Sequence, residues 1–126
     1  SVLSVLFLGK LFRLPAEHIL TLMPKSITTA IGMGVSKEAG GFVTLTVAAI
    51  ILTGILGNML AEQVFRIFSI RHPIAKGLAL GTSAHAVGTA KALELGEIEG
   101  AMSSLAIVTA GVTTVILVPL VTAIAF

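Results

Sequence analysis

From Phe42 to Leu60 the chain runs nineteen residues without a charged side chain, and from Ala101 to Phe126 it carries none either. A helix needs roughly 20 predominantly apolar residues to cross a bilayer, and inside hydrocarbon only structures that satisfy their own backbone hydrogen bonds survive. The two stretches therefore predict an all-α, polytopic membrane protein. Composition agrees: 56% of residues are hydrophobic and 11% charged, with a mean hydropathy of +1.07, against about 25% charged in soluble domains. Allowing about 20 residues per span plus loops, 126 residues give room for roughly four or five crossings, read as one transmembrane domain over residues 1–126. The opening SVLSVLFLG reads as the end of an apolar helix already under way, without the basic start of a signal peptide. The chain is therefore expected to be the C-terminal part of a longer one.

Several classes of chemistry find no residues to carry them. Without Cys there are no disulfides and no thiolate metal sites. His18, His72 and His85 are far apart and no HExxH pattern occurs, so no metal or cofactor is expected. There is no GxSxG elbow, P-loop or dinucleotide fingerprint, and Ser83 and His85, two residues apart, would point to different sides of a helix. An enzyme is not indicated. The net charge of +2 comes from scattered cations, which fit a membrane-orientation signal better than a nucleic-acid face.

Along the chain, residues 1–9 close one apolar segment, and Gly9 to Pro15 form a loop or short interfacial helix. Pro24 is expected to open a short helix that Lys37, Glu38, Gly40 and Gly41 end before it reaches the roughly 17 residues of a minimal span. Phe42 to Leu60 is the clearest span, with Gly54 and Gly57 as a packing face. Glu62 to Lys76 reads as a polar connection with Pro73 as a stop, Ile74 to Leu95 as the next helix, and Gly96 to Gly100 as an acidic turn. Ala101 to Phe126 is the last span, with Pro119 inside it. If each later segment crosses once, one side collects Lys10, Arg13, Arg66, Arg71 and Lys76. The other takes Lys37, Lys91, Glu38, Glu94, Glu97 and Glu99. The first side is then cytoplasmic. A re-entrant segment at residues 24–37 would invert the assignment upstream of it.

Two polar stretches interrupt this background, and polar groups within membrane segments point to function. Laid over each other at an offset of 56 residues, Ala30-Ile31-Gly32, Gly34, Ser36, Glu38 and Gly40 fall on Ala86-Val87-Gly88, Ala90, Ala92, Glu94 and Gly96. A hydroxyl-rich run precedes each: Ser26, Thr28 and Thr29 in the first, Thr82 and Ser83 with His85 in the second. Repeated, Gly-interrupted half-helices are the best sequence pointer to a transporter's binding site, because helix N-termini favour anions. The candidate substrate-binding residues are Lys25, Ser26, Thr28, Thr29, Thr82, Ser83, His85, Gly88, Thr89 and Lys91. The site is expected between the two stretches, and no catalytic residue is assigned.

The runs Pro24-Lys25-Ser26-Ile27-Thr28-Thr29, Gly40-Gly41, Ala75-Lys76-Gly77 through Lys91-Ala92-Leu93-Glu94, and Glu99-Gly100-Ala101 resemble the LrgB/CidB family of bacterial inner-membrane proteins. Members are roughly twice as long. Where they often have Pro after the paired Thr this chain has Ala30, and where Arg is frequent it has Lys91, which keeps the charge but not a bidentate grip on a carboxylate. The resemblance implies a multi-pass protein of the bacterial cytoplasmic membrane with holin-like or antiholin-like control of murein hydrolase export and autolysis. It also implies a small LrgA/CidA-type membrane partner and homo-oligomers in lipid. Related proteins, including a plastid glycolate/glycerate translocator, move small monocarboxylates. The polar residues at two matched helix breaks favour transport of a small organic anion, such as pyruvate, glycolate or glycerate, over a holin-like pore.

Overall fold

A computed structural model describes residues 1–126 as six helices and no strands: α1 (Val2–Leu11), α2 (Ala16–Leu22), α3 (Thr29–Ala39), α4 (Val43–Ile67), α5 (Pro73–Leu95) and α6 (Glu97–Ala125). With 25 and 29 residues and hydropathies of 2.0 and 2.3, α4 and α6 are long and apolar enough to cross a membrane. Both turn large apolar side chains outward, among them Leu52 and Met59 on α4 and Val108 and Ile116 on α6. Apolar surface of this extent is costly in water and is what a lipid-facing helix presents.

Four element boundaries differ from the sequence expectation, each for a local reason. Helix α3 starts at Thr29 rather than Pro24, because the chain is still turning there (Lys25 N–H to Leu22 O, 3.2 Å) and Thr28 is an extended N-cap. Helix α4 runs past Leu60 to Ile67, since Glu62, Gln63 and Arg66 are good helix formers with no Gly or Pro among them. Pro73 opens α5 instead of stopping the chain, as its fixed φ and missing N–H suit a first helical position. Of the expected acidic turn only Gly96 lies outside a helix; Glu97 and Glu99 occupy the first turn of α6, where the helix dipole favours negative charge.

The chain divides into two compact units, residues 1–51 with 111–126 and residues 52–110, the division falling inside α4 and α6. In the first unit Val2, Ile19, Leu20, Met23, Val35 and Val118 form the core. Beside it lies a knot of buried hydroxyls. Thr46 Oγ1 donates to Thr21 O (2.8 Å) and is hydrogen-bonded to Ser36 Oγ (2.7 Å), while Thr21 Oγ1 donates to Glu17 O (2.6 Å) and accepts from Phe42 N–H (2.8 Å). Carbonyl and amide groups at the end of α2 and the start of α4 thereby find partners that the helices themselves cannot supply.

The second unit is assembled on small residues. Gly77 and Gly81, four apart on α5, lie so close to α6 that a Cβ on either would overlap a backbone carbonyl, that of Glu99 or of Ser103. On α4, a Cβ on Gly57 would come within 2.7 Å of Ala84 Cβ, and Gly54 packs against Val87, Ala84 and His85. The expected packing face at Gly54 and Gly57 is therefore observed. Ala61, Phe65, Leu80 and Ala92 complete this unit's core.

The two units also share a local plan at the 56-residue offset. Helix α1 ends and helix α4 ends in the same turn: Arg13 has φ 54° and Ser69 φ 53°. Leu14 N–H bonds Gly9 O at 2.9 Å and Ile70 N–H bonds Phe65 O at 2.8 Å. A short helix, a break, a second short helix and a glycine (Gly40 or Gly96) then follow in each before the long apolar helix. Gly32 and Gly88 both face the carbonyl eight residues earlier, of Pro24 and Leu80 respectively. The matching region extends well beyond the residues that aligned by sequence.

Candidate functional site

Inside α5 the backbone leaves helical geometry at one residue, His85, with φ 44° and ψ −127°. A side chain there is strained by about 1–3 kcal/mol, since this region of dihedral space belongs to glycine. The break separates residues 73–84 from residues 86–95. It frees carbonyls at the end of the first half and N–H groups at the start of the second, and gives the second half a partial positive charge at its N-terminus. His85 is itself buried at 3% exposure, with its ring against Gly54. Gly88, one turn on, has no room for a Cβ because Ala84 Cβ would stand 2.6 Å away.

The hydroxyls around the break are engaged in several ways. Thr82 Oγ1 donates to Leu78 O (2.7 Å) and Ser83 Oγ to Ala79 O (2.6 Å), both on the exposed surface of their own helix. Such back-bonding is the usual use of Ser and Thr in membrane helices. Thr89 Oγ1 donates to His85 O (3.0 Å), holding the carbonyl at the break, and pairs with Ser103 Oγ at 2.8 Å. Lys91 is half-buried two turns beyond His85. Its ammonium lies 2.8 Å from Glu62 Oε1 and 3.4 Å from Glu94 Oε2. The second unit thus places Gly88, Thr89 and Lys91 on the short helix behind the break at His85.

The first polar stretch belongs to the other unit. Lys25, Ser26 and Thr28 are half-buried in the turn before α3 and Thr29, also half-buried, is its first residue, and Lys25 Nζ donates to Ser26 Oγ at 3.2 Å. Thr28 is the N-cap of α3, whereas Thr82 and Ser83 lie in the last turn before the break and bond back to their own helix.

Sequence reasoning missed several contributors. Glu62 was expected in a loop, yet it sits on α4 and holds Lys91; its spacing of four from Arg66 was the available signal. Gly77 and Gly81 form a small-xxx-small pattern that marks a helix contact. Nothing local distinguishes Thr21, Ser36, Thr46 or Ser103 from other hydroxyl residues.

Comparison with known proteins supplies a frame for this geometry. A family model described as LrgB-like matches residues 1–124. The antiholin-like protein LrgB of Bacillus subtilis (strain 168) is 40% identical over 119 residues, covering 94% of this chain and 52% of that protein. The antiholin-like protein LrgB of Bacillus cereus (strain B4264) is 38% identical over 120 residues, covering 95% and 52%. That of Bacillus anthracis (strain CDC 684 / NRRL 3495) gives the same figures, 38% over 120 residues, 95% and 52%. The chain spans about half the length of these curated relatives. No solved structure matches it.

Proposed function

Since the chain belongs to the LrgB-like family, we propose that it is the membrane-embedded part of an antiholin-like protein of the bacterial cytoplasmic membrane. In this role it restrains murein hydrolase export and autolysis alongside a small LrgA-type membrane protein. The carrying observation is the match across residues 1–124, with relatives that are themselves called antiholin-like. Two outward-facing apolar helices, α4 and α6, suit assembly in lipid as a multi-pass homo-oligomer. The test is complementation with the full-length protein in a strain lacking its own copy. Restored resistance to detergent-induced autolysis supports the reading, and unchanged lysis overturns it.

A second reading has its own support. The helix break at buried His85, with Thr89 and Lys91 on the half-helix behind it, fits a protein that moves a small monocarboxylate. Free N–H groups and a positive dipole at a helix start favour a carboxylate. Lys25, Ser26, Thr28 and Thr29 belong to the same proposal through the repeat. Uptake of labelled pyruvate or glycolate into proteoliposomes separates the readings. Uptake without dye release supports transport; dye or protein leakage without selective uptake removes it.

A further inference from the structure

The turn between α4 and α5 borders an open pocket of about 460 Å³ whose lining includes Arg66, Arg71 and Lys76 together with Phe65, Ile70 and Leu95. None of the three cations forms a salt bridge: the lining carboxylate, Glu62, is taken by Lys91 at 2.8 Å. Beside the pocket, at the end of a helix long and apolar enough to span a bilayer, Ile67 and Phe68 are 74% and 71% exposed. Cations and apolar side chains lining one pocket, with exposed apolar side chains next to them in the chain, match an amphiphile with an anionic head.

The internal repeat shows what chemistry the equivalent position takes. Fifty-six residues earlier, in the same turn at the end of α1, Lys10 stands where Arg66 stands. There the cation is occupied: Lys10 Nζ donates to Ala125 O at 3.0 Å and lies 5.4 Å from the Phe126 ring centroid. An oxygen acceptor joined to an apolar group thus fills the first position, while Arg66, Arg71 and Lys76 face an open pocket at the second.

We propose that this pocket binds the phosphate head of an anionic phospholipid, such as phosphatidylglycerol or cardiolipin, with the acyl chains against Ile67 and Phe68. Arg66 and Arg71 grip the phosphate oxygens by their guanidinium forks and Lys76 adds a point charge. The orientation from the cationic bias places this turn at the cytoplasmic leaflet, where anionic lipids and basic pockets meet. A soluble phosphate would have no use for the apolar rim.

The test uses the full-length protein in nanodiscs of phosphatidylcholine with a minor fraction of phosphatidylglycerol or cardiolipin, with retained lipid counted by native mass spectrometry. The anionic lipid is retained in preference to phosphatidylcholine. At about fivefold per cation near the surface, the triple variant Arg66→Gln, Arg71→Gln, Lys76→Gln loses on the order of 100-fold of that preference. Lys37→Gln, outside the pocket, keeps it. Phe68→Ser weakens retention of the lipid without changing direct binding of glycerol phosphate in the absence of lipid. Equal retention of both lipids, a triple variant that keeps the preference, or glycerol phosphate displacing the lipid at equal concentration would each overturn the proposal. An unchanged thermal transition of the triple variant shows that lost binding is not lost folding.

Discussion

At the scale of single residues, the backbone at His85 separates two effects that most substitutions mix. Its dihedrals suit glycine and its imidazole is buried. His85→Gly should hold or raise the thermal transition, by relief of about 1–3 kcal/mol of strain, while lowering transport or complementation. A merely structural histidine would instead lower the thermal transition, through the lost buried ring, and leave complementation intact below it. Thr46→Val makes the opposite kind of prediction. It preserves shape but removes the hydroxyl that serves Thr21 O and Ser36 Oγ, leaving buried polar atoms unmade. We expect a loss of about 1–2 kcal/mol in detergent unfolding with activity intact below the transition. Residue-scale roles were only partly legible in the sequence. The polar character of His85, Thr89 and Lys91 stood out from an apolar background. The partner of Lys91 did not, because Glu62 reaches it only when α4 continues past the point where its apolar run ends.

Elements in the second unit are held by the absence of side chains. Gly81→Ala would force a methyl against the Ser103 carbonyl and to 2.8 Å from Ala106 Cβ, so helices α5 and α6 must part; we expect a lower yield of folded protein and a lowered transition. Gly34→Ala is the matched control. Nothing lies within 4 Å of its Cβ position in the middle of α3, and replacing an exposed helical glycine by alanine should stabilise by about 0.5–1 kcal/mol. A thermal-shift comparison of the two variants tests the packing directly, and equal shifts would refute it. Element types were readable because charge-free runs and short polar stretches differ so clearly. Element ends were less so: Pro73 and Glu97 were read as interruptions, although proline and glutamate are also how helices begin.

For the molecule as a whole, orientation is the property that sequence left divided, since a re-entrant segment at residues 24–37 would have reversed everything before it. The hydrogen bond from Lys10 to Ala125 O joins the end of α1 to the end of α6, so both ends belong on one face. On the proposed multi-pass reading, the positive-inside rule would set the turn that carries Arg66, Arg71 and Lys76 on the cytoplasmic side. Because the chain has no cysteine, single replacements report cleanly. Arg71→Cys should react with a membrane-impermeant maleimide only from the cytoplasmic side, and Glu97→Cys only from the opposite side. Labelling of both from the same side would exclude a crossing by α5. The repeat was visible in the sequence only where an Ala-aliphatic-Gly run, small residues, Glu and Gly recur behind hydroxyl-rich runs. Its fuller extent, through the turns at Arg13 and Ser69, rests on backbone shape that Leu14 and Ile70 or Lys10 and Arg66 share without being identical.

The arrangement of a broken segment, one or two glycines and then a long apolar helix bears on how the chain enters the membrane during synthesis. Neither α2 with α3 nor the interrupted α5 passes as a span by length and hydropathy, whereas α4 and α6 do. Each broken segment reaches the insertion machinery before the helix that follows it. In a chain inserted during synthesis, a segment of marginal hydropathy would be held near the interface until its successor emerges, and the two would partition into lipid as a pair. Nascent chains halted after Gly96 should therefore leave residues 73–95 extractable by alkaline carbonate, and chains extended to Phe126 should not. If that outcome is found, membrane commitment would be set by helix pairs and not by single helices.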